Sequence, residues 1–256
     1  MGLQRNLYSA WAWLGIAGVT IGGVGYTLPA YLGEARTSQT RAKTGRRLRD
    51  LAIAAARINP MWRFEVYGNP PPPPEGGAVY VSNHVSQADI FLISHLPWEM
   101  KWLAKTELFT TPFLGWQMRM AGDVEVKRGQ KDSAREAMQQ CANYLKQGMS
   151  VMIFPEGTRS RDGSLQPFKD GAFRLAIDTQ KPIIPLAVAG TREALPKHSW
   201  QFGEARALVA VGDPIDTAGM TLDDVDRLRD AARTSIASLL ETIQPLCSGA
   251  APAQQT

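Results

Sequence analysis

Residues 78–96, AVYVSNHVSQADIFLISHL, contain the strand-to-helix transition on which the fold depends. β-Branched and aromatic residues alternate with small ones up to Asn83, a pattern that predicts a β-strand ending there. The apolar run ADIFLISHL predicts a buried helix that begins near Ala88. A strand followed through a short polar loop by a helix is the repeating unit of α/β domains.

The loop of this unit places His84 five positions before Asp89. Side chains on one helical face lie three or four positions apart, so the two cannot meet inside one regular helix. They can meet if the chain is a loop up to Ser86 and helical after it, because helical side chains lean toward the N-terminus. Ser86 and Asp89 also fit the Ser-x-x-Asp pattern of a capped helix start. This stretch alone therefore leaves a catalytic pair and a helix cap both open.

Apolar segments continue to alternate with polar connections through the rest of the chain. In order these segments are FEVYG (64–68), AVYVS (78–82), ADIFLISHL (88–96), KWLAK (101–105), PFLGWQMRMAG (112–122), DVEVKR (123–128), 133–146, SVMIF (150–154), 172–178, IIPLAVAG (183–190), ALVAVG (207–212) and 222–243. This rhythm predicts an α/β layered domain over residues 61–246, with prolines 70–74 as a stiff surface connection. Residues 247–256 are expected to be a disordered tail.

The N-terminal part of the chain is apolar. Residues 6–33 contain no charged side chain, and as a helix they would extend roughly 42 Å, longer than a hydrocarbon core of about 30 Å. A membrane segment is expected here. A secretory signal is the alternative, although the run is longer than usual for one and only Arg5 precedes it. Six glycines and Pro29 favour an interfacial or re-entrant position over a straight span.

Positive charge follows this apolar segment. Residues 34–65 contain eight basic and three acidic side chains, a net +5 in a chain whose total is +4. Residues 41–62, RAKTGRRLRDLAIAAARINPMW, predict a basic helix with an apolar face, a composition typical of helices that lie on anionic headgroups. Residues 1–60 are thus expected to bind the inner (cytoplasmic) membrane, with the catalytic domain on the cytoplasmic side. A nucleic-acid partner is not expected. Two cysteines favour a reducing compartment.

A second polar stretch, FPEGTRS at residues 154–160, directly follows an apolar strand. Loops at strand ends are where α/β folds present ligand sites. The guanidinium of Arg159 offers a planar fork suited to phosphate, and Gly157 lets the backbone come close to a bound group. Taken alone, Pro-Glu-Gly also fits an ordinary turn, and Arg159 also fits a solvated surface charge.

The two stretches together resemble the glycerolipid acyltransferase family, in particular its bacterial 1-acyl-sn-glycerol-3-phosphate acyltransferases, over roughly residues 60–215. Lys105 with PFLGW and the later VKR (126–128) are similar to the family's second block, and KPIIPLAVAGT (181–191) to its fourth. The resemblance implies a mixed layered sheet flanked by helices. It also implies a catalytic pair, His84 and Asp89. The substrate-binding residues that it implies are Lys105, Arg128, Glu156, Gly157, Thr158 and Arg159.

The activity that this resemblance implies is transfer of a fatty acyl group from acyl-CoA or acyl carrier protein to the 2-hydroxyl of lysophosphatidic acid. A histidine is the usual base for removing the hydroxyl proton, and an aspartate would fix its tautomer. The alternatives are acylation of another lysophospholipid, glycerol-3-phosphate or a lyso-aminolipid, a hydrolase that uses His84 to activate water, and a non-catalytic membrane adaptor.

No cofactor is expected. A metal site is not expected either, because His84 and Asp89 supply only two ligands. The other two histidines are expected to have structural or surface roles, His95 on an apolar helix and His198 in a polar loop.

Overall fold

A seven-stranded sheet forms the centre of the protein, and helices cover both of its faces. The computed structural model describes residues 2–196 and 199–247. The predicted tail beyond residue 247 and His198 lie outside this range. The helices are α1 (Gly2–Glu34), α2 (Ala42–Ile58), α3 (Asp89–Ile93), α4 (Thr106–Phe109), α5 (Leu114–Ala121), α6 (Lys131–Lys146), α7 (Gly171–Thr179), α8 (Thr191–Ala194) and α9 (Val225–Cys247). The strands are β1 (Trp62–Val66), β2 (Val79–Ser82), β3 (Lys101–Lys105), β4 (Val124–Val126), β5 (Val151–Ile153), β6 (Ile183–Ala189) and β7 (Ala205–Val211).

The strands lie in the order β1-β7-β6-β2-β5-β3-β4. Five of them, from β6 to β4 in this order, are parallel to one another. β7 runs antiparallel to β6, and β1 runs parallel to β7. The predicted mixed α/β sheet flanked by helices is thereby confirmed. The carboxyl ends of the five parallel strands meet at one edge of the sheet, which is where open α/β sheets bind ligands.

The central strands are buried on both faces. Every residue of β2 and of β6 is buried, as expected for parallel strands with helices on either side. Residues of α6, α7 and α9 form one hydrophobic core with one face of the sheet. Residues of α3 and the following turn cover the opposite face. Burial on both faces holds the strand ends, and the loops that leave them, in fixed positions.

α3 is shorter than the sequence predicts. It begins at Asp89, close to the expected start, but ends at Ile93 instead of continuing to Leu96. Pro97 follows Leu96, and the residue before a proline is disfavoured in the helical conformation. α4 and α8 are four residues long, too short to give a periodic signal in the sequence.

α1 and α2 form an antiparallel helical hairpin that packs on the domain. Gly15 of α1 lies against Ile58 of α2, and Gly23 lies against Leu51. At the other end, the Glu34 carboxylate accepts the backbone N–H groups of residues 43 and 44 at 2.9 and 2.8 Å. By length and hydropathy, α1 is the one helix in the described ranges that could cross a membrane.

Most of the arginines of α2 are engaged within the protein. Arg46 donates to the carbonyl oxygens of Ser94 and Leu96 at 3.2 and 2.8 Å. Arg49 is buried and pairs with Asp123 at 2.5 Å. Two basic side chains, at positions 43 and 57, are the ones exposed along α2. α2 therefore connects α1 to the domain, because its arginines bind carbonyl and carboxylate oxygens of the protein.

Candidate active site

The predicted site residues follow the carboxyl ends of the parallel strands. His84 follows β2, Glu156 and Arg159 follow β5, Lys105 ends β3, and Arg128 follows β4. Thr191, which was not among the predicted residues, follows β6. Adjacent strands lie about 4.8 Å apart. β5 and β6 are the two neighbours of β2, so their loops lie beside His84, whereas β3 and β4 are two and three strands away.

His84 and Asp89 form a buried hydrogen-bonded pair. His84 Nδ1 lies 2.7 Å from Asp89 Oδ2, and Asp89 is fully buried. The imidazole stacks on the ring of Phe154, with 4.0 Å between the ring centroids and 18° between the planes. A carboxylate can only accept here, so Nδ1 carries the proton and Nε2 is left with a free lone pair.

Asp89 also closes the loop that carries His84. Its Oδ2 accepts the backbone N–H groups of Val85 and Ser86 at 2.8 and 3.0 Å. The Ser86 hydroxyl accepts the N–H of Ala88 at 3.1 Å, one residue earlier than a full capping box requires. The carboxylate is therefore both the partner of the imidazole and a local cap, so the two explanations of the sequence describe the same side chain.

Glu156 points toward the backbone of the His84 loop. Its Oε1 accepts the N–H of His84 at 2.8 Å, and its Oε2 accepts the N–H of Gln166 at 3.4 Å. Burial raises the pKa of the Glu156 carboxyl to about 7, although these two backbone donors lower it. The N–H of Ser160 donates in turn to the carbonyl oxygen of His84 at 2.8 Å. These hydrogen bonds fix the EGTR loop (residues 156–159) to the His84 loop.

Gly157 is required by the shape of this loop. Its φ is +69°, a conformation that L-residues rarely adopt, and a Cβ there would lie 2.8 Å from the Lys169 amine. The turn carries the chain past Thr158, which is exposed, to Arg159.

A cavity of about 550 Å³ opens beside Val85, the residue that follows His84, and neither His84 nor Asp89 lines it. Its lining residues are Val85, Arg159, Ser160, Arg161, Arg192, Leu195 and Pro196. Three arginines thus line a cavity whose wall includes Val85, the residue after His84. Arg192 is anchored, since it donates to the carbonyl oxygens of Asp162 and Arg161 at 2.6 and 3.3 Å. This cavity has the charge and hydrogen-bond donors that suit a phosphate.

The structure brings some of the predicted substrate-binding residues together and separates others. Arg159 lines the cavity beside Val85, whereas Lys105, Arg128 and Glu156 do not line it. Sequence reasoning missed Arg161 and Arg192 as residues of this cavity. Arg161 and Arg192 each directly follow a recognised motif, but nothing in their local pattern separates them from solvated surface charges.

The remaining polar groups lie away from this centre. Nδ1 of His95 lies 2.9 Å from the Phe91 carbonyl oxygen, and burial lowers the pKa of its imidazole. Within residues 2–196 and 199–247, no three His, Cys, Asp or Glu side chains are grouped so that they could hold a metal ion.

Residues 63–189, from within β1 to the end of β6, match the family described as Acyltransferase. This part of the chain therefore belongs to the acyltransferase family, and the resemblance inferred from the two motifs is confirmed. Both motifs and the histidine–aspartate pair fall within the matched residues.

Within this family the chain is similar to proteins named 1-acyl-sn-glycerol-3-phosphate acyltransferase. It is 36% identical over 194 residues to the chloroplastic BAT2 protein of Brassica napus, over 74% of this chain and 54% of that protein. It is 36% identical over 183 residues to the human alpha protein, over 71% of this chain and 65% of that protein. The matched part of the chain thus spans about half to two thirds of these relatives.

The same fold occurs in the crystal structure of the 1-acyl-sn-glycerophosphate acyltransferase PlsC from Thermotoga maritima. The TM-score is 0.74 over 93% of this chain and 97% of that one, at 23% sequence identity.

Proposed function

We propose that this protein transfers a fatty acyl group from acyl-CoA or acyl carrier protein to the 2-hydroxyl of lysophosphatidic acid, forming phosphatidic acid. The observation that carries the proposal is the buried His84–Asp89 pair, which lies in a loop whose next residue, Val85, lines an arginine-lined cavity. A base next to an anion site suits an acceptor that has a hydroxyl close to a phosphate. The names of the relatives above support this choice of acceptor.

In the proposed reaction His84 acts as the general base. Its Nε2 takes the proton of the acceptor hydroxyl while the hydroxyl oxygen attacks the thioester carbonyl carbon and a C–O bond forms. The tetrahedral intermediate then collapses, the C–S bond breaks, and the leaving thiolate takes the proton from the imidazolium. Asp89 accepts a hydrogen bond from Nδ1–H throughout and stabilises the imidazolium, while Nδ1 keeps its proton. The substrate hydroxyl takes the place of an enzyme nucleophile.

The cavity is proposed to bind the phosphate of the acceptor. Arg159 donates no hydrogen bond elsewhere among residues 2–196 and 199–247, so its guanidinium is available to a ligand. Arg161 and Arg192 add positive charge to the same cavity. Lys105 and Arg128 lie at the same edge of the sheet but outside this cavity, and we propose them as secondary phosphate contacts on the other side of β5.

Replacing Arg159 by alanine is expected to lower kcat/KM for lysophosphatidic acid roughly tenfold to more than a hundredfold, since hydrogen bonds to charged groups contribute about 1.5–3 kcal/mol. The kcat/KM of Arg159→Lys is expected to lie between those of the wild type and Arg159→Ala, because lysine keeps the charge but loses the planar fork. The same variant is also assayed with monoacylglycerol as the acceptor. Because this lipid has no phosphate, its residual acylation should hardly change in Arg159→Ala.

Arg174→Ala is a matched control, since Arg174 is exposed on α7 and its side chain makes no hydrogen bond in the part of the chain described. It should leave kcat/KM unchanged on both acceptors. If Arg159→Ala lowered kcat/KM by the same factor on the charged and the uncharged acceptor, Arg159 would not bind the phosphate. The phosphate site would then be assigned to Lys105 and Arg128.

The exposed side of α1 is proposed to rest in the membrane. Its large exposed side chains include Leu7, Trp11, Leu14, Ile21 and Leu28, which are spaced so that they form one stripe along the helix. The opposite side of α1 packs on α2 and on the domain. A helix held along its length in this way lies along the protein, and its free apolar stripe suits the interfacial region of the cytoplasmic leaflet of the inner membrane.

Aspartate at both Leu14 and Ile21 is expected to abolish binding to phospholipid vesicles, because each charge would have to enter the apolar region. Cosedimentation with vesicles measures the effect, and the thermal midpoint should stay close to that of the wild type, since both side chains face solvent. Leu222→Asp is the control: Leu222 is exposed outside α1, so its replacement should leave binding intact. If the double variant sediments as well as the wild type, another surface must contact the membrane.

The proposed activity is tested with purified protein, two acyl donors and an acceptor panel presented in vesicles. Phosphatidic acid is the expected product. Free fatty acid without diacyl lipid would indicate the hydrolase alternative. Faster acylation of another lysophospholipid, glycerol-3-phosphate or a lyso-aminolipid would reassign the acceptor, and no turnover on any of them would favour a non-catalytic adaptor.

A further inference from the structure

Thr191 makes a direct contact with the aspartate of the site. It is the first residue of α8, two positions after the last residue of β6, and its side chain is fully buried. Its hydroxyl donates to Asp89 Oδ1 at 2.5 Å, across 102 positions of the chain. A charge-assisted hydrogen bond of this kind is shorter and stronger than one between neutral groups.

This hydroxyl determines how the Asp89 carboxylate is oriented. The other oxygen, Oδ2, accepts three hydrogen bonds, from His84 Nδ1 and from the backbone of Val85 and Ser86. For Oδ1, Thr191 is the one donor found within the described ranges. Without it, a carboxylate oxygen would be buried and unpaired, which is costly. The Thr191 hydroxyl therefore opposes rotation of the carboxylate away from the imidazole.

The backbone around Thr191 is itself held in place. Gly190 has a φ of +81°, and a Cβ there would lie 2.0 Å from the carbonyl oxygen of Arg206. The turn thus packs so closely against β7 that there is no room for a side chain at position 190. On the other side, Arg192 holds the loop that carries Arg161 and Asp162. The Thr191 hydroxyl therefore contacts Asp89 from a backbone segment that is held in place on both sides.

We propose that Thr191 is a positioning residue, the outer member of a hydrogen-bond chain Thr191–Asp89–His84. It does not touch the substrate. It keeps Asp89 Oδ2 directed at Nδ1 while the imidazole gains and loses its proton, so that Nε2 stays aligned with the acceptor hydroxyl. The kinetic part of this inference depends on the proposed acyltransferase function. The structural part, the effect on the tautomer of His84, does not.

Three variants separate positioning from packing. Thr191→Val keeps the shape of the side chain and removes the donor, and Thr191→Ser keeps the donor. Thr217→Val is the matched control, because Thr217 is also a fully buried threonine and its hydroxyl donates to the Lys181 carbonyl oxygen at 3.0 Å, outside the site. We expect Thr191→Val to lower kcat about tenfold to a hundredfold with little change in KM. The kcat of Thr191→Ser and of Thr217→Val should stay within about threefold of the wild type, a smaller change than the loss expected for Thr191→Val.

Nitrogen-15 NMR of the imidazole rings supplies a measurement that needs no turnover. The chain has three histidines, and the His84→Ala spectrum assigns the His84 signals. In the wild type His84 should be in the Nδ1–H tautomer, and in Thr191→Val it should become a mixture of tautomers. An unchanged tautomer in Thr191→Val would overturn the proposal, as would a loss of kcat equal to that of Thr217→Val. An inactive wild type that still shows the tautomer change would contradict the proposed function and support the hydrogen-bond chain.

Discussion

Replacement of His84 by alanine is expected to lower kcat by at least a factor of the order of 10² to 10⁴, the range that general base catalysis contributes. The reason is that, among residues 2–196 and 199–247, the two carboxylates bonded to the His84 loop, Asp89 and Glu156, are occupied by backbone donors, which leaves His84 as the base at the carboxyl end of β2. The fold should persist. Asp89 keeps its hydrogen bonds to Val85, Ser86 and Thr191 in the variant, and the main loss is the stacking of the imidazole on Phe154.

The measurement compares kcat with the thermal midpoint and with vesicle binding, both of which should stay near the wild-type values. His95→Ala is the matched control, because His95 is a half-buried histidine bonded to a backbone carbonyl. It should retain the wild-type kcat. If His84→Ala kept more than about a tenth of the wild-type kcat, general base catalysis by this side chain would be excluded.

The fold was largely predictable because its signals are local. Alternating and continuous apolar segments mark β2, β5 and β6, and a strand followed by a helix through a polar loop sets the layer order. The meeting of His84 and Asp89 was predictable for the same reason, since both residues lie in one loop-to-helix segment. The local spacing makes that contact possible, and Thr191 adds a distant hydrogen bond to the same carboxylate.

The directions of the other site residues depend on contacts that are distant in sequence. Glu156 was predicted to contact the acceptor, but in the structure it accepts the N–H of His84, 72 positions away. Thr191 reaches Asp89 across 102 positions. No local pattern specifies such pairs, because each depends on the order of the strands in the sheet.

The basic character of α2 illustrates a second limit on what the sequence can predict. The charge pattern shows that arginines are present but not which oxygens they bind. In the structure Arg46 binds carbonyl groups just after α3 and Arg49 binds Asp123, so these charges connect the N-terminal hairpin to the domain. A headgroup and a buried carboxylate attract a guanidinium by the same chemistry, and only the packing of α2 distinguishes them.

Asp89→Asn is expected to lose both rate and stability. The asparagine side chain keeps one acceptor oxygen, which would turn toward His84 and the two backbone donors, and it places its NH₂ group against Thr191. The Thr191 hydroxyl can rotate and accept a hydrogen bond from this NH₂ group, so position 89 stays hydrogen-bonded to both His84 and Thr191. Neutral hydrogen bonds replace charge-assisted ones, which should lower the free energy of unfolding by about 1–3 kcal/mol. A neutral amide also stabilises the imidazolium poorly, so kcat should fall by a factor of the order of 10² to 10⁴, the range that general base catalysis contributes.

Asp123→Asn is the control that separates these two effects. Asp123 is buried as well, and its carboxylate accepts from Arg49 and from the N–H of Trp102 at 3.1 Å. The change should cost similar stability but leave kcat of the folded protein nearly intact, because Asp123 lies at the start of β4, outside the cavity. Combining Asp89→Asn with Thr191→Val should give a smaller loss of rate than the product of the two single losses, since both act on one hydrogen-bond chain. Asp89→Asn with lower stability and unchanged kcat would assign Asp89 to closing the loop alone, and fully multiplicative losses would show that Thr191 does not act through it.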